Sequence, residues 1–272
     1  MTRLFGLLLA ASTVFALPAT PSLAQSPKAP ATQPGNWQMT VGARVRMEPG
    51  YEGSDRFSIA YRPIISFGRA GVVRWWSAED DAISIGLVNG DNWRAGAGAA
   101  LVMPRTAKDQ RRLRGLDKVP FGVEIGGFGE YYPANWLRAR ADLRQAVRGH
   151  AGLVSELKLD AFTDPNGVWS FGAGPRMTIV NTRYVDSYFS VSPAEAAASG
   201  YPVYNGKGGV HTVGALAQAS YRWTPAVKST AYVKYDYLTG GASKAPVVVS
   251  PLGSRHQLEL GFSTAWTFDL SR

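Results

Sequence analysis

Few residues in this chain have the chemistry of an active site, and their spacing keeps them apart. There are three histidines, His150, His211 and His256, and no cysteine. The best set for nucleophilic catalysis is His150 with Ser155 and Asp160: a general base, a hydroxyl and an orienting carboxylate. On an extended strand, His150 and Asp160 fall on one face and Ser155 on the other, so the three converge only across a bulge. Without cysteine or paired histidines, a transition-metal site has no ligand set. The stretch from Gly200 to Lys207 lacks both the spacing and the hydroxyl after lysine that a phosphate loop needs. Glu79-Asp80-Asp81 lacks the further oxygens of a calcium loop and is expected to be a solvated cluster. Catalysis is therefore not expected, and neither is a cofactor.

The remaining charged residues are set into apolar stretches with a period of two. Arg138, Arg140, Asp142 and Arg144 alternate with Leu137, Ala139, Ala141 and Leu143, and Glu156, Lys158 and Asp160 alternate with Leu157 and Leu159. That is the pattern of strands with one apolar and one polar face. A charge facing lipid at mid-membrane costs about 2 to 4 kcal/mol, whereas the inside of a barrel is wet. These seven charges are therefore expected in a lumen. They would form either a selective channel or, the preferred reading, a salt-bridged filling of a narrow barrel.

The elements that must position them recur along the chain. Strands are predicted at 37–47, 57–68, 71–77, 82–89, 92–103, 119–132, 136–146, 150–161, 168–180, 210–223, 228–238 and 255–270. The expectation is an all-β fold: a transmembrane antiparallel up-and-down β-barrel of about 12 strands, with short periplasmic turns and long extracellular loops. Every second connection is brief and has turn residues, such as Asn89-Gly90-Asp91, Pro133-Ala134-Asn135 and Asp164-Pro165-Asn166-Gly167. The alternate set is longer: 48–56, 104–118, 181–209 and 239–254. Val147 to Gly149 breaks the rule, so either a strand is miscounted there or that hairpin sits low. Pro193 to Ser199 has the composition for a helical turn or two within the third long loop. Aromatic residues including Trp75, Trp76, Trp93, Tyr131, Tyr132, Trp136, Trp169, Trp223 and Trp266 lie near strand ends, as interface girdles require.

The N-terminus points to export. Arg3, an apolar run from Leu4 to Leu17 and the small-residue site Ser22-Leu23-Ala24 read as a signal peptide over residues 1–24. Residues 25–36, rich in Pro and Ala, read as a flexible periplasmic leader, and 37–272 as the barrel. The formal net charge is +9, but the basic residues are dispersed through the strands, so nucleic acid is not expected as a partner. Outer-membrane lipid and lipopolysaccharide are.

Particular clusters carry a resemblance. Gly50-Tyr51-Glu52-Gly53-Ser54-Asp55, the run from Arg112 to Val119, and Tyr188-Phe189-Ser190-Val191-Ser192 resemble the MipA/OmpV family. Ser199-Gly200-Tyr201, Tyr204, and then Tyr235, Leu238, Gly240, Ala242, Pro246 and Val247 continue the likeness over essentially the whole mature chain. Gly241 and Ala245 depart from it, standing where Asp and Ser are expected. The resemblance implies an outer-membrane protein like the MltA-interacting scaffold, which holds a lytic transglycosylase near a peptidoglycan synthase. Tyr51, Ser54, Asp55, Arg114, Asp117, Tyr188, Phe189, Tyr201 and Tyr204 are then the candidate partner contacts. Their clusters' glycines have an equally good structural reading, as suppliers of unusual backbone angles. A narrow pore for small solutes is the alternative function.

Overall fold

In a computed structural model, residues 37–69, 76–105, 111–251 and 253–270 are described. The signal-peptide and leader expectations lie outside them. The chain forms β1 (Trp37–Pro49), β2 (Phe57–Arg69), β3 (Ile83–Asn89), β4 (Trp93–Val102), β5 (Gly122–Ala134) and β6 (Leu137–Arg148). Next come β7 (Leu153–Phe162), β8 (Trp169–Val180), β9 (Gly209–Arg222), β10 (Val227–Leu238) and β11 (His256–Asp269). Helices α1 (Thr182–Tyr188) and α2 (Pro193–Ser199) sit between β8 and β9, and α3 (Pro246–Val249) between β10 and β11.

All strands join one antiparallel sheet in the order β2-β1-β11-β10-β9-β8-β7-β6-β5-β4-β3. Chain neighbours pair throughout except β2 and β3, and β1 also pairs with β11 from Gln38↔Asp269 to Met47↔Leu260. The two edges, β2 and β3, are consecutive in the chain. Among the described residues this is the one unlaced seam of the barrel.

The alternation in sequence becomes an inside and an outside. On β6, Leu143 and Val147 are 53% and 60% exposed while Arg138 is fully buried. Outward positions on the other strands are likewise apolar: Ile59, Tyr61 and Ile65 on β2, and Leu260, Phe262, Trp266 and Phe268 on β11. Trp93, Tyr131, Trp136, Trp169, Phe171, Trp223 and Trp266 are exposed around the short-turn rim. An amphipathic ring suits a position between hydrocarbon and water. Two members of the expected girdle are elsewhere. Trp76 and Tyr132 are buried inside, packed against Phe162, with Trp76 stacked on that ring at 5.1 Å.

Among the described residues, the expected strand 71–77 is contradicted at its last two positions. Residues 70–75 of the expected strand 71–77 are outside the described set, and Trp76 and Ser77 are not in a strand. The chain from Trp76 runs inside the barrel instead, because its side chains find partners there that no lipid-facing strand offers. The short link after β6 is explained without a miscount. Residues 149–152 make a low hairpin, in which Gly149 has φ +99° and His150 turns inward to Glu124.

Candidate functional site in the barrel interior and its cap

Residues 76–82 form an internal tongue. Its tip is a tight turn in which the Asp81 amide donates to the Ala78 carbonyl at 3.1 Å, and the Ala78 amide donates to Asp81 Oδ2 at 2.9 Å. The turn projects Glu79, Asp80 and Asp81 in different directions, and each meets strand side chains. Arg44 of β1 lies 2.7 Å from Glu79, and Ser263 of β11 donates to the same carboxylate at 3.1 Å. Gln218 of β9 accepts from the Glu79 amide and donates to the Ser77 carbonyl. Arg176 of β8 reaches Asp80 at 2.9 Å, and Lys234 of β10 stands 3.9 Å from it. Arg138 of β6 grips Asp81 through two N–H groups at 2.8 and 3.1 Å. Lys158 of β7 donates to the Asp80 carbonyl at 2.6 Å. Partners from β1 and from β6 to β11 thus converge on one short segment, which requires the sheet to wrap around it.

The acidic trio is therefore not the solvated loop cluster that its composition suggests. It is enclosed, and the sheet supplies the opposite charge. A lone buried carboxylate is strongly disfavoured, but one with two or three charge-assisted hydrogen bonds is tolerated.

All seven charges assigned to the lumen point inward. Asp160 takes Arg138 at 2.7 Å on one oxygen and Arg176 at 2.6 Å on the other. Arg140 forks onto Asp142 with two contacts of 2.7 Å and reaches Glu130 at 2.6 Å. Arg144 bridges Glu124 and Glu156, and Lys158 lies 3.2 Å from Glu156. Arg44, Glu130, Arg176 and Lys234 belong to the same network and are absent from the sequence-based set. The same parity finds them: Ser170, Gly172 and Gly174 precede Arg176 on the inward face of β8, and Lys234 alternates with outward Val233 and Tyr235.

Above this network the long loops pack on one another rather than spreading into solvent. Tyr51, Leu113, Val119, Val185, Tyr188, Phe189, Leu238 and Val247 form one apolar cluster, with the tops of β7 and β8 as its floor. Polar ties fasten it. Glu52 accepts from Tyr184 at 3.1 Å and lies 2.6 Å from His211, while the Gly53 amide donates to Gln257 at 3.0 Å. Arg105 donates to the Tyr188 carbonyl and, at 3.2 Å, to that of Asp117. Burial and the nearby Glu52 hold the Tyr184 phenol well above its ordinary pKa.

The nine loop candidates divide accordingly. Tyr51, Ser54, Tyr188 and Phe189 are buried in the cap and are not available on the surface of the folded chain. Tyr201 and Tyr204 are half-buried, Tyr204 donating to the Gly241 carbonyl at 2.5 Å. Asp55 and the side chains of Arg114 and Asp117 are exposed. Burial is the reason for the difference: the aromatic members bring the apolar area that four irregular loops need in order to hold together.

The set His150, Ser155 and Asp160 does not come together. His150 is held by Glu124 beneath the cap, and Asp160 is held by two arginines near the other end of β7. Among the described residues there is no cluster of three or more His, Cys, Asp or Glu side chains arranged to hold a metal.

A family model described as "MltA-interacting protein MipA" matches residues 41–268. No curated protein matches. Solved structures that match include an outer membrane channel from Pseudomonas putida, at 8% identity, covering 87% of this chain and 97% of that one with a TM-score of 0.45. Outer-membrane expressed OmpT of Vibrio cholerae matches at 8% identity over 86% and 97%, with a TM-score of 0.38. Neisserial surface protein A matches at 11% identity over 87% and 100%, with a TM-score of 0.26.

Proposed function

This chain belongs to the MltA-interacting protein MipA family, and from that premise we propose that it is a non-enzymatic outer-membrane scaffold for peptidoglycan-processing enzymes. The apolar exterior and its aromatic rim support insertion in a bilayer, where only a barrel or a helix satisfies the backbone. The observation that carries the scaffold over a pore is the filled interior. The tongue lies across the lumen and the cap covers the long-loop rim, so the working surfaces left are the rims.

Barrels of this kind set short turns toward the periplasm, which is where peptidoglycan enzymes work. A lytic transglycosylase or a synthase would then dock on the turns at 90–92, 135–136, 163–168 and 223–226. The long-loop clusters that carry the family resemblance hold the cap together instead.

The test is capture from envelope extract with the full chain as bait, beside a variant whose 163–168 and 223–226 turns are replaced by Gly-Ser. Murein enzymes are expected on the intact barrel and depleted on the variant. Their absence from a folded, intact bait would refute the scaffold role. Planar-bilayer recording addresses the pore: the wild-type chain is expected to carry no steady current, and a large steady current would favour the second reading.

A further inference from the structure

The way the tongue is held resembles the way a ligand is held. Arg176 presents Nε and Nη2 to the two oxygens of Asp80 at 2.9 and 3.4 Å, and Arg138 presents both Nη atoms to Asp81. Paired N–H contacts of this kind are the usual means of recognising a carboxylate or phosphate. Lys158 stands between them, its Nζ 3.4 Å from Asp81 and 3.8 Å from Asp80, and Lys234 closes the ring.

These four cations come from four strands of the sheet, whereas the anions come from a segment outside every ladder. Removing the anions would break no strand pairing. It would, however, leave the two arginines short of partners, while Lys158 would keep Glu156 at 3.2 Å and Lys234 would keep Asp236 at 3.1 Å. Arg138 and Arg176 share the single strand carboxylate Asp160, and Glu130, the other acid near Arg138, also serves Arg94 and Arg140. The two arginines thus outnumber the strand carboxylates within their reach, and Asp80 and Asp81 make up the difference.

We infer that Arg138, Lys158, Arg176 and Lys234 form a binding site for a compact dianion, a solute bearing two carboxylate or phosphate groups, which the chain fills with its own Asp80 and Asp81. An incoming dianion competes with the tongue, and its binding displaces the turn at 78–81. The inference does not rest on the scaffold reading, and enzyme capture can fail or succeed without touching it.

The test uses the full chain in detergent with both acids neutralised, Asp80→Asn and Asp81→Asn, its fold checked by heat-modifiable gel migration. Pyrophosphate and succinate are each compared with potassium chloride at matched ionic strength. At least one is expected to raise the unfolding midpoint of the variant, and to raise it more than that of the wild type. A response to pyrophosphate alone assigns phosphate groups, and one to succinate alone assigns carboxylates. Adding Arg176→Gln is expected to abolish the response. A folded variant indifferent to both anions overturns the site. Should the double variant not fold, the absence of native cysteine allows Ala78→Cys to report on an otherwise wild-type tongue. Its maleimide labelling is expected to speed up when either dianion is added, and an unchanged rate overturns the proposal.

Discussion

The interior charges show what buried ion pairs do for a protein and what they cost. Asp160 is fully buried between two guanidinium groups, so its removal takes from Arg138 and Arg176 the carboxylate they share and leaves them the tongue's acids and, for Arg138, Glu130. Breaking one partner of such a cluster costs about 3 to 5 kcal/mol. Asp160→Ala is expected to lower stability by that order, read as a shift in the urea midpoint of the detergent-held barrel; a change within about 0.5 kcal/mol, the usual range of a surface substitution, would contradict the geometry. Gly172 makes a second point. A Cβ there would run into the Trp76 indole, so the glycine exists to seat the tongue's aromatic anchor. Gly172→Ala is expected to cost about 1 to 3 kcal/mol through overpacking, with the altered tongue visible as a changed Trp76 environment in near-ultraviolet circular dichroism. Which residues face inward was legible from parity alone, as Arg138 and Asp160 show. That Glu79, Asp80 and Asp81 join them was not legible, because their partners lie on strands up to 184 residues away and no local pattern encodes that encounter.

At the level of elements, α2 illustrates how a loop is given a fixed shape. Ser192 caps the helix, Glu195 returns a hydrogen bond to the Ser192 amide at 2.8 Å, and Gly200 ends it at φ +79°. A helical turn at 193–199 was readable from composition, whereas the capping box of Ser192 and Glu195 came with the structure. What the sequence did not show is the second task of Glu195. Its other oxygen accepts from the Asp117 amide at 2.8 Å and so ties the 103–121 loop to the 181–208 loop. Glu195→Ala is expected to weaken the helix start by about 0.5 to 2 kcal/mol and to increase amide exchange at Asp117. Burial pushes the Glu195 carboxyl up, but the Asp117 and Ser192 amides more than offset this, so its pKa lies below the ordinary value. With a folded value below the unfolded one, the stabilisation is full above the ordinary glutamate pKa of about 4.3 and disappears as pH falls through the lowered value. Hydrogen exchange of the 111–119 segment, compared at neutral pH and below that range, is expected to quicken in the wild type beyond its intrinsic pH trend and not in Glu195→Ala. An equal response of both chains would remove Glu195 as the latch.

At the level of the whole molecule, the barrel was the most legible feature, because two-residue alternation sustained over long stretches suits a sheet with one oily and one wet face and little else. The missing piece was the segment from Trp76, which the pattern over 71–77 marks as the end of a strand. Partner chemistry inside the barrel overrode that local pattern for residues 76–82. Closure itself depends on β11, which pairs with β1 over ten residue pairs. A chain ending at Arg255 is expected to show no heat-modifiable band and to be digested completely by protease, whereas the full chain gives a compact resistant form. Pairing of the first strand with the last also dictates an order of events. Since the second neighbour of β1 is β11, no length of this polypeptide that stops short of β11 can make that pairing. The strands between them therefore stay pliable until β11 is present to pair with β1.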